Sequence, residues 1–122
     1  PALSNGDLVI DTASHRVYLH GSVLDMSDTE VRFLEVLARN IGHVVTYADL
    51  LSQVWGTEDH SGGKDMIKTT AYRVRRSLGE EGRRYIHSVR GEGYTMPHLA
   101  ESTSSDAAGP QPVAVTRTAP RW

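Results

Sequence analysis

Most of the positive charge of this 122-residue chain lies in one short segment. Residues 64–90 hold two Lys and six Arg against three acidic residues, a formal charge of +5, whereas the whole chain carries −2. Residues 1–63 hold three Arg and nine acidic residues, a charge of −6. A domain that binds an anion such as a phosphate backbone on one face shows this asymmetry. A solvated basic helix surface without a ligand is the alternative.

The basic segment predicts a third helix, over residues 64–78, with two different faces. At about 100° per residue, Ala71, Val74 and Leu78 fall within about 40° of Ile67 and form the expected core stripe. The other side carries charged groups, hydroxyls and an aromatic ring: Asp65, Lys68, Thr69, Tyr72, Arg73 and Arg76. Such a face suits the major groove, where Arg reads guanine edges and Thr or Tyr meets bases or phosphates.

The elements before this helix are a small sheet and a well-marked first helix. Residues 7–26 alternate β-forming residues with turn residues, which predicts a small antiparallel sheet. Ser27 is followed three residues later by Glu30, and this pair predicts a capping box at the start of a helix. The helix is expected to end near residues 40–42, where Gly follows Asn and Ile.

A second helix, a loop and a hairpin complete the pattern. Thr46 predicts an N-cap, and the helix runs to about Trp55, whose ring we expect to anchor the core. Residues 56–63 predict a polar loop. After the third helix, residues 84–87 predict a strand, and residues 94–96 pair back across a glycine-rich turn. The order sheet, helix, helix, basic helix, hairpin predicts an α+β fold, a winged helix-turn-helix.

The composition bounds the domain and the chemistry. Residues 1–97 form the predicted domain, and residues 98–122, rich in Ser, Thr, Ala, Pro and Gly, predict a disordered tail. The absence of Cys excludes disulfides and thiolate metal sites, and the six His show no ligand spacing, so neither a metal nor another cofactor is expected. No nucleophile elbow, phosphate loop or paired-carboxylate motif predicts an enzyme.

Two further expectations concern the setting of the chain. No segment resembles a transmembrane span or a signal peptide, which predicts a cytoplasmic protein without a membrane partner. The chain begins at Pro1 without an initiator Met, which is typical of a fragment or a processed product, and a partner domain could be missing.

Five segments, in this order and spacing, resemble the OmpR/PhoB family of response-regulator effector domains over about residues 6–97. The segments are SHRV at 14–17, MSDTE at 26–30, LLSQVWG at 50–56, RVRRSL at 73–78 and VRGEGY at 89–94. The resemblance implies a transcription regulator with an N-terminal receiver domain that binds direct-repeat double-stranded DNA as a head-to-tail dimer. Its third helix would be the recognition helix and its hairpin the wing. The loop at residues 56–63 corresponds to one that contacts RNA polymerase in some members.

The resemblance also implies roles for individual residues. Arg73 matches a base- or phosphate-contacting Arg, and Arg75 matches one that faces the DNA backbone. Ser88 matches a wing hydroxyl that meets phosphate, and Arg90 matches the wing Arg that enters the minor groove. With Lys64 as a further phosphate contact, the predicted DNA-binding set is Lys64, Lys68, Thr69, Tyr72, Arg73, Arg75, Arg76, Ser88 and Arg90.

Three residues depart from the family pattern. Lys68 stands where an acidic residue is usual, and Lys cannot accept a hydrogen bond from cytosine, so the sequence preference should differ. Asp65 and Glu92 place negative charge near the expected DNA face. Two other functions also stay open, the first of them because residues 1–63 are acidic. The same fold could serve mainly for contact with RNA polymerase or a receiver domain, or it could belong to another regulator class, such as a membrane-tethered or antibiotic-pathway activator.

Overall fold

The computed structural model describes residues 1–57 and 62–100. An antiparallel sheet of four strands in sequential order opens the chain. Leu8 and Ile10 pair with Leu19 and Val17, and all four side chains are buried, so one face of the sheet lies on the core. The strands are β1 (Ala2–Asn5), β2 (Leu8–Asp11), β3 (Arg16–Leu19) and β4 (Ser22–Leu24).

The predicted sheet is therefore present, with one strand more than the sequence indicated. Strand β1 has Leu3 as its only large apolar residue, so it shows no alternation of its own. Its pairing with β2 along four residue pairs supplies the order that its local sequence lacks.

Helix α1 (Asp28–Ala38) begins as predicted. The Glu30 N–H donates to Ser27 Oγ at 3.2 Å, and the Ser27 N–H donates to Glu30 Oε1 at 3.0 Å, which completes the capping box. Helix α2 (Tyr47–Trp55) follows the short strand β5 (Val45–Thr46). Thr46 caps it by accepting the Asp49 N–H at 3.1 Å, and Gly56 ends it in a left-handed conformation.

Helix α3 (Gly63–Leu78) packs on both earlier helices. A Cβ at Gly63 would lie 2.4 Å from Leu51 Cδ1, so Gly lets α3 begin in close contact with the buried Leu51 side chain. The predicted core stripe of Ile67, Ala71, Val74 and Leu78 is buried, as is the neighbouring Thr70. The helical-wheel prediction for this helix is confirmed.

The strand predicted over residues 84–87 is wrong except for its last residue, because β6 begins only at His87. A 3₁₀ turn (Gly79–Glu81) leads into a short helix α4 (Gly82–Tyr85). A Cβ at Gly82 would lie 2.4 Å from the Arg75 carbonyl oxygen, so this turn packs directly on the α3 backbone. Tyr85 is buried, and its hydroxyl accepts the Asp7 N–H at 3.2 Å. These long-range contacts override the β propensity of the local sequence.

The wing is part of a second sheet with the order β5-β7-β6. It comprises β6 (His87–Val89) and β7 (Gly93–Thr95), joined by a turn in which the Glu92 N–H donates to the Val89 carbonyl at 2.9 Å. A Cβ at Gly93 would lie 2.0 Å from the Val45 carbonyl oxygen, so the pairing of β7 with β5 requires Gly there. The wing is thereby tied to the start of α2.

The segment after the wing returns to the first sheet. The buried Asn5 side chain donates to the Pro97 carbonyl at 2.8 Å and accepts the Leu99 N–H at 2.7 Å. Leu99 packs against the core. The domain boundary at residue 97 stays a prediction, and the predicted tail lies outside the described residues from 101 onward. Among the residues described, no helix has the length and apolarity needed to cross a membrane.

Candidate nucleic-acid interface

The outward face of α3 presents the residues that the helical wheel placed there. Tyr72 is 59% exposed and stands near the middle of this face. The other residues of that prediction are exposed as well, Asp65, Lys68, Thr69, Arg73 and Arg76, and so is Lys64 in the first turn, which the wheel did not include. Six of the nine predicted DNA-binding residues are therefore exposed along α3, and this surface is called the α3 face below.

The cations of the α3 face differ in what holds them. Lys64 Nζ lies 5.2 Å from the centroid of the Tyr47 ring, and Arg76 Cζ lies 5.9 Å from that of Tyr72, both within cation–π range. Lys68 and Arg73 make no hydrogen bond or ion pair with any residue that the structure describes. Their side chains can therefore extend toward a ligand without breaking an internal contact.

Arg75 lies on the flank of α3 and is committed to the wing. Its Nε and Nη2 donate to the Ile86 carbonyl at 3.1 and 3.0 Å, and Nη2 also donates to Ser88 Oγ at 2.9 Å. Its guanidinium carbon lies 5.8 Å from the centroid of the Tyr94 ring. The two N–H groups on Nη1 take no part in these bonds. Arg75 therefore connects α3 to the wing through Nε and Nη2, and its Nη1 group remains available to a ligand.

The wing places its two predicted residues differently. Ser88 lies on β6 opposite Tyr94 of β7 and accepts from Arg75. Arg90 is exposed at the turn, next to Gly91 with φ +76°. Burial raises the pKa of Tyr94, against an opposing effect of its hydrogen bond to Ser88, so the phenol stays neutral. Tyr94 is a buried residue of the wing, whereas the Arg90 side chain is exposed to solvent.

Aromatic packing fixes the wing relative to the helices. The Tyr94 ring meets Phe33 of α1 edge-on, with centroids 5.7 Å apart, and meets Tyr47 of α2 in the same manner at 6.3 Å. The wing therefore packs on α1 through Phe33, on α2 through Tyr47 and on α3 through Arg75.

A cleft of about 420 Å³ separates the α3 face from the start of α1 and the end of α2. Glu30, Asp65, Thr69 and Arg73 line it together with Trp55. Trp55 also packs against the core, as predicted, so its ring has one buried side and one side on the cleft. The two carboxylates make this end of the α3 face less basic than the end near the wing.

Two residues near the wing were missed as candidates from the sequence. Arg83 of α4 and His87 of β6 line an open groove of about 400 Å³ together with Arg75, Ile86 and Ser88. The sequence signal was the Arg83-Arg84 pair within the basic segment. The strand predicted over residues 84–87 led away from this signal. It is the helical turn of α4, which was not predicted, that brings Arg83 into one groove with Arg75.

The N-terminal sheet, the three helices with a basic outward face on the third, and the hairpin wing define a winged-helix domain of the DNA-binding class. The family of C-terminal domains of transcriptional regulatory proteins matches residues 21–96, and the chain belongs to this family. It is 34% identical over 89 residues to the phosphate regulon transcriptional regulatory protein PhoB of Pseudomonas aeruginosa. That match covers 73% of this chain and 38% of PhoB, so the chain spans less than half the length of this relative.

Solved structures agree with the family. The DNA-binding domain of CpxR from E. coli aligns with a TM-score of 0.69 and 28% identity, over 82% of this chain and 99% of that one. The DNA-binding domain of RstA from Klebsiella pneumoniae, solved in complex with the RstA box, aligns with a TM-score of 0.66 and 25% identity, over 79% and 96%. The resemblance to OmpR/PhoB effector domains is confirmed. The family is a class of transcription regulator domains and not a class of enzymes.

Proposed function

We propose that this domain binds double-stranded DNA as the output module of a transcription regulator, with α3 in the major groove and the wing on the neighbouring backbone and minor groove. The observation that carries the proposal is the α3 face, whose cations Lys68 and Arg73 have no partner among the described residues. A helix fits the major groove, and unpaired cations at its surface can meet base edges there. The RstA domain, a structural neighbour, was solved on its DNA box.

The contacts of each side chain suggest its role on DNA. Lys68, Thr69, Tyr72 and Arg73 project from the α3 face and would read base edges. Lys64 and Arg76, each already seated over an aromatic ring, would meet phosphates from a more fixed position.

The wing supplies the remaining predicted contacts. Arg90, at the exposed turn, would reach the minor groove. Arg75 and Ser88 are bonded to each other, so they would act on phosphate as one unit. In that unit Arg75 offers the free N–H groups of Nη1, while its other donors keep the wing in place.

The partners of the whole protein belong to the same proposal. As the resemblance to the OmpR/PhoB family implies, a receiver domain in the parent protein would supply the signal. Two copies would bind half-sites about one helical turn, or about 34–36 Å, apart. RNA polymerase would contact the loop at residues 56–63, of which residues 58–61 lie outside the described part of the chain. A cytoplasmic location follows from this role.

Fluorescence anisotropy with duplex DNA across a salt series tests the proposal. If Lys64, Arg75 and Arg76 each neutralise one phosphate, log K should fall with log salt with a slope of about −3. Arg73→Ala should cost about 1–3 kcal/mol on the preferred sequence and relax its selectivity, and Arg90→Ala should weaken binding at the wing. Arg39→Ala is the matched control, because Arg39 pairs with Glu35 on α1.

A single outcome would overturn the proposal. If the folded wild type binds no duplex at low salt, the α3 face serves protein contact instead. The acidic first half of the chain would then be the natural place to search for the partner.

A further inference from the structure

The groove between α4 and the wing contains two residues, Arg83 and His87, to which the family resemblance assigns no role. Arg75, Arg83, Ile86, His87 and Ser88 line it. Arg75 donates to Ser88 Oγ, which fixes two of the lining side chains relative to each other. No acidic side chain lines this groove in the described residues, in contrast to the cleft at the other end of α3.

Arg83 reaches the groove because α4 sits directly on α3. The absent Cβ of Gly82 lets its backbone approach the Arg75 carbonyl, where a Cβ would come within 2.4 Å. Arg83, the next residue, is exposed and also borders a second hollow together with Tyr72 and Arg76. Arg83 therefore stands between the α3 face and the foot of the wing and extends the basic surface from one to the other.

We infer that this groove holds a DNA phosphodiester, with Arg83 as a backbone clamp beside Arg75 and Ser88. The inference rests on the proposed DNA binding and deepens it. Nε and Nη2 of Arg75 make three hydrogen bonds, to the Ile86 carbonyl and to Ser88 Oγ, which leaves Nη1 for the phosphate. The Arg83 guanidinium, which lines the same groove, would let one phosphate oxygen pair with each cation. Charge-assisted bonds of this kind are the stronger ones, and they carry no sequence information.

The neighbouring arginine provides a matched control. Arg84 has the same charge, lies on the same helical turn and is also exposed, but its Nη1 pairs with Glu81 Oε1 at 3.4 Å, and it does not line the groove. Arg83→Ala and Arg84→Ala change the net charge equally. A difference between these two variants therefore reports a local contact and not the field of the whole domain.

The experiment is anisotropy with a mixed-sequence duplex and with a duplex selected from a random library, each across a salt series. Loss of one phosphate contact lowers the salt slope by about 0.9, which corresponds to about eightfold weaker binding at 0.1 M salt. Arg83→Ala should show this loss on both duplexes, and Arg83→Lys should restore most of the slope. Arg84→Ala should keep the wild-type slope. Phosphate ethylation interference on the selected duplex should lose one blocking position in Arg83→Ala.

The outcomes separate this inference from the proposed function. If the wild type binds and Arg73→Ala weakens binding, while Arg83→Ala and Arg84→Ala behave alike, DNA binding stands and the clamp is refuted. If no duplex binds, both fail together. NMR titration with inorganic phosphate alone covers the other source of the same chemistry. Saturable shifts at Arg83 that DNA does not compete away would refute the DNA assignment.

Discussion

Replacing Arg75 by Ala should loosen the wing and destabilise the domain before any DNA is present. The change removes two hydrogen bonds to the Ile86 carbonyl, one to Ser88 and a cation–π contact with Tyr94. A hydrogen bond from a charged donor contributes about 1.5–3 kcal/mol, and an exposed cation–π contact about 0.5–1 kcal/mol. Two of the bonds share one acceptor and Arg75 is only half-buried, so the sum is discounted to about 2–3 kcal/mol.

Urea unfolding of the free domain measures this loss. For a domain of about 100 residues it corresponds to a Tm lower by about 10–20 °C. Arg75→Lys keeps the charge but not the bidentate donor, so it should recover less than half of the free energy of unfolding that Arg75→Ala loses. Arg76→Ala is the control at an adjacent exposed position, and it should lower stability by about 1 kcal/mol at most, since it removes only the cation–π contact with Tyr72.

Hydrogen exchange localises the Arg75 effect. The amides of the wing should exchange faster in Arg75→Ala than in Arg76→Ala, while those of α1 should change only with global stability. If the wing amides of Arg75→Ala exchange at the wild-type rate and the free energy of unfolding falls by less than about 0.5 kcal/mol, Arg75 does not hold the wing on α3.

Four shorter predictions follow from other contacts. Asn5→Ala should cost about 2–4 kcal/mol in urea unfolding, because two backbone groups of the C-terminal segment lose their partner. Gly93→Ala should displace the wing, because its Cβ would overlap the β5 backbone, and the NMR shifts of the wing should report it. The hydrogen bond to Glu81 raises the pKa of His20, so its stabilisation is complete below about pH 6.5 and is lost as pH rises through the raised pKa. His20→Asn should remove that pH dependence of Tm. Asp65→Asn should tighten non-specific DNA binding about twofold at low salt, as measured by anisotropy.

Local signals in the sequence were enough to predict most of the helical frame. The capping box at Ser27 and the cap at Thr46 lie within one helical turn of the residues they bond, so a short window contains the whole interaction. The faces of α3 follow from its period alone, which is why Ile67 proved buried and Tyr72 exposed. The order of the elements then predicted the winged-helix fold.

What the sequence could not predict depends on contacts between distant residues. Tyr85 is drawn into a helical turn by the sheet 78 residues earlier in the chain, against its own β propensity. Arg75 also donates to the Ile86 carbonyl, which lies 11 residues away and beyond a turn whose shape the sequence did not predict. The groove at Arg83 depends on both of these, so no window of the sequence contained it.

The two ends of the α3 face differ in charge, and Asp65 tests what this difference does. Asp65 and Glu30 border the cleft at the start of the helix, whereas Arg76 and Arg83 border the hollow at its end. A carboxylate about 10 Å from a phosphate in water opposes binding by about 0.4 kcal/mol, which is the twofold effect expected for Asp65→Asn. Physiological salt should erase most of it, since the screening length is then about 8 Å. The same change should slightly lower stability, because Asp65 lies in the first turn of α3, where the helix dipole favours an acid. Weaker binding in Asp65→Asn would mean instead that this carboxylate accepts a hydrogen bond from cytosine, and the reading face would then begin one turn earlier than Lys68.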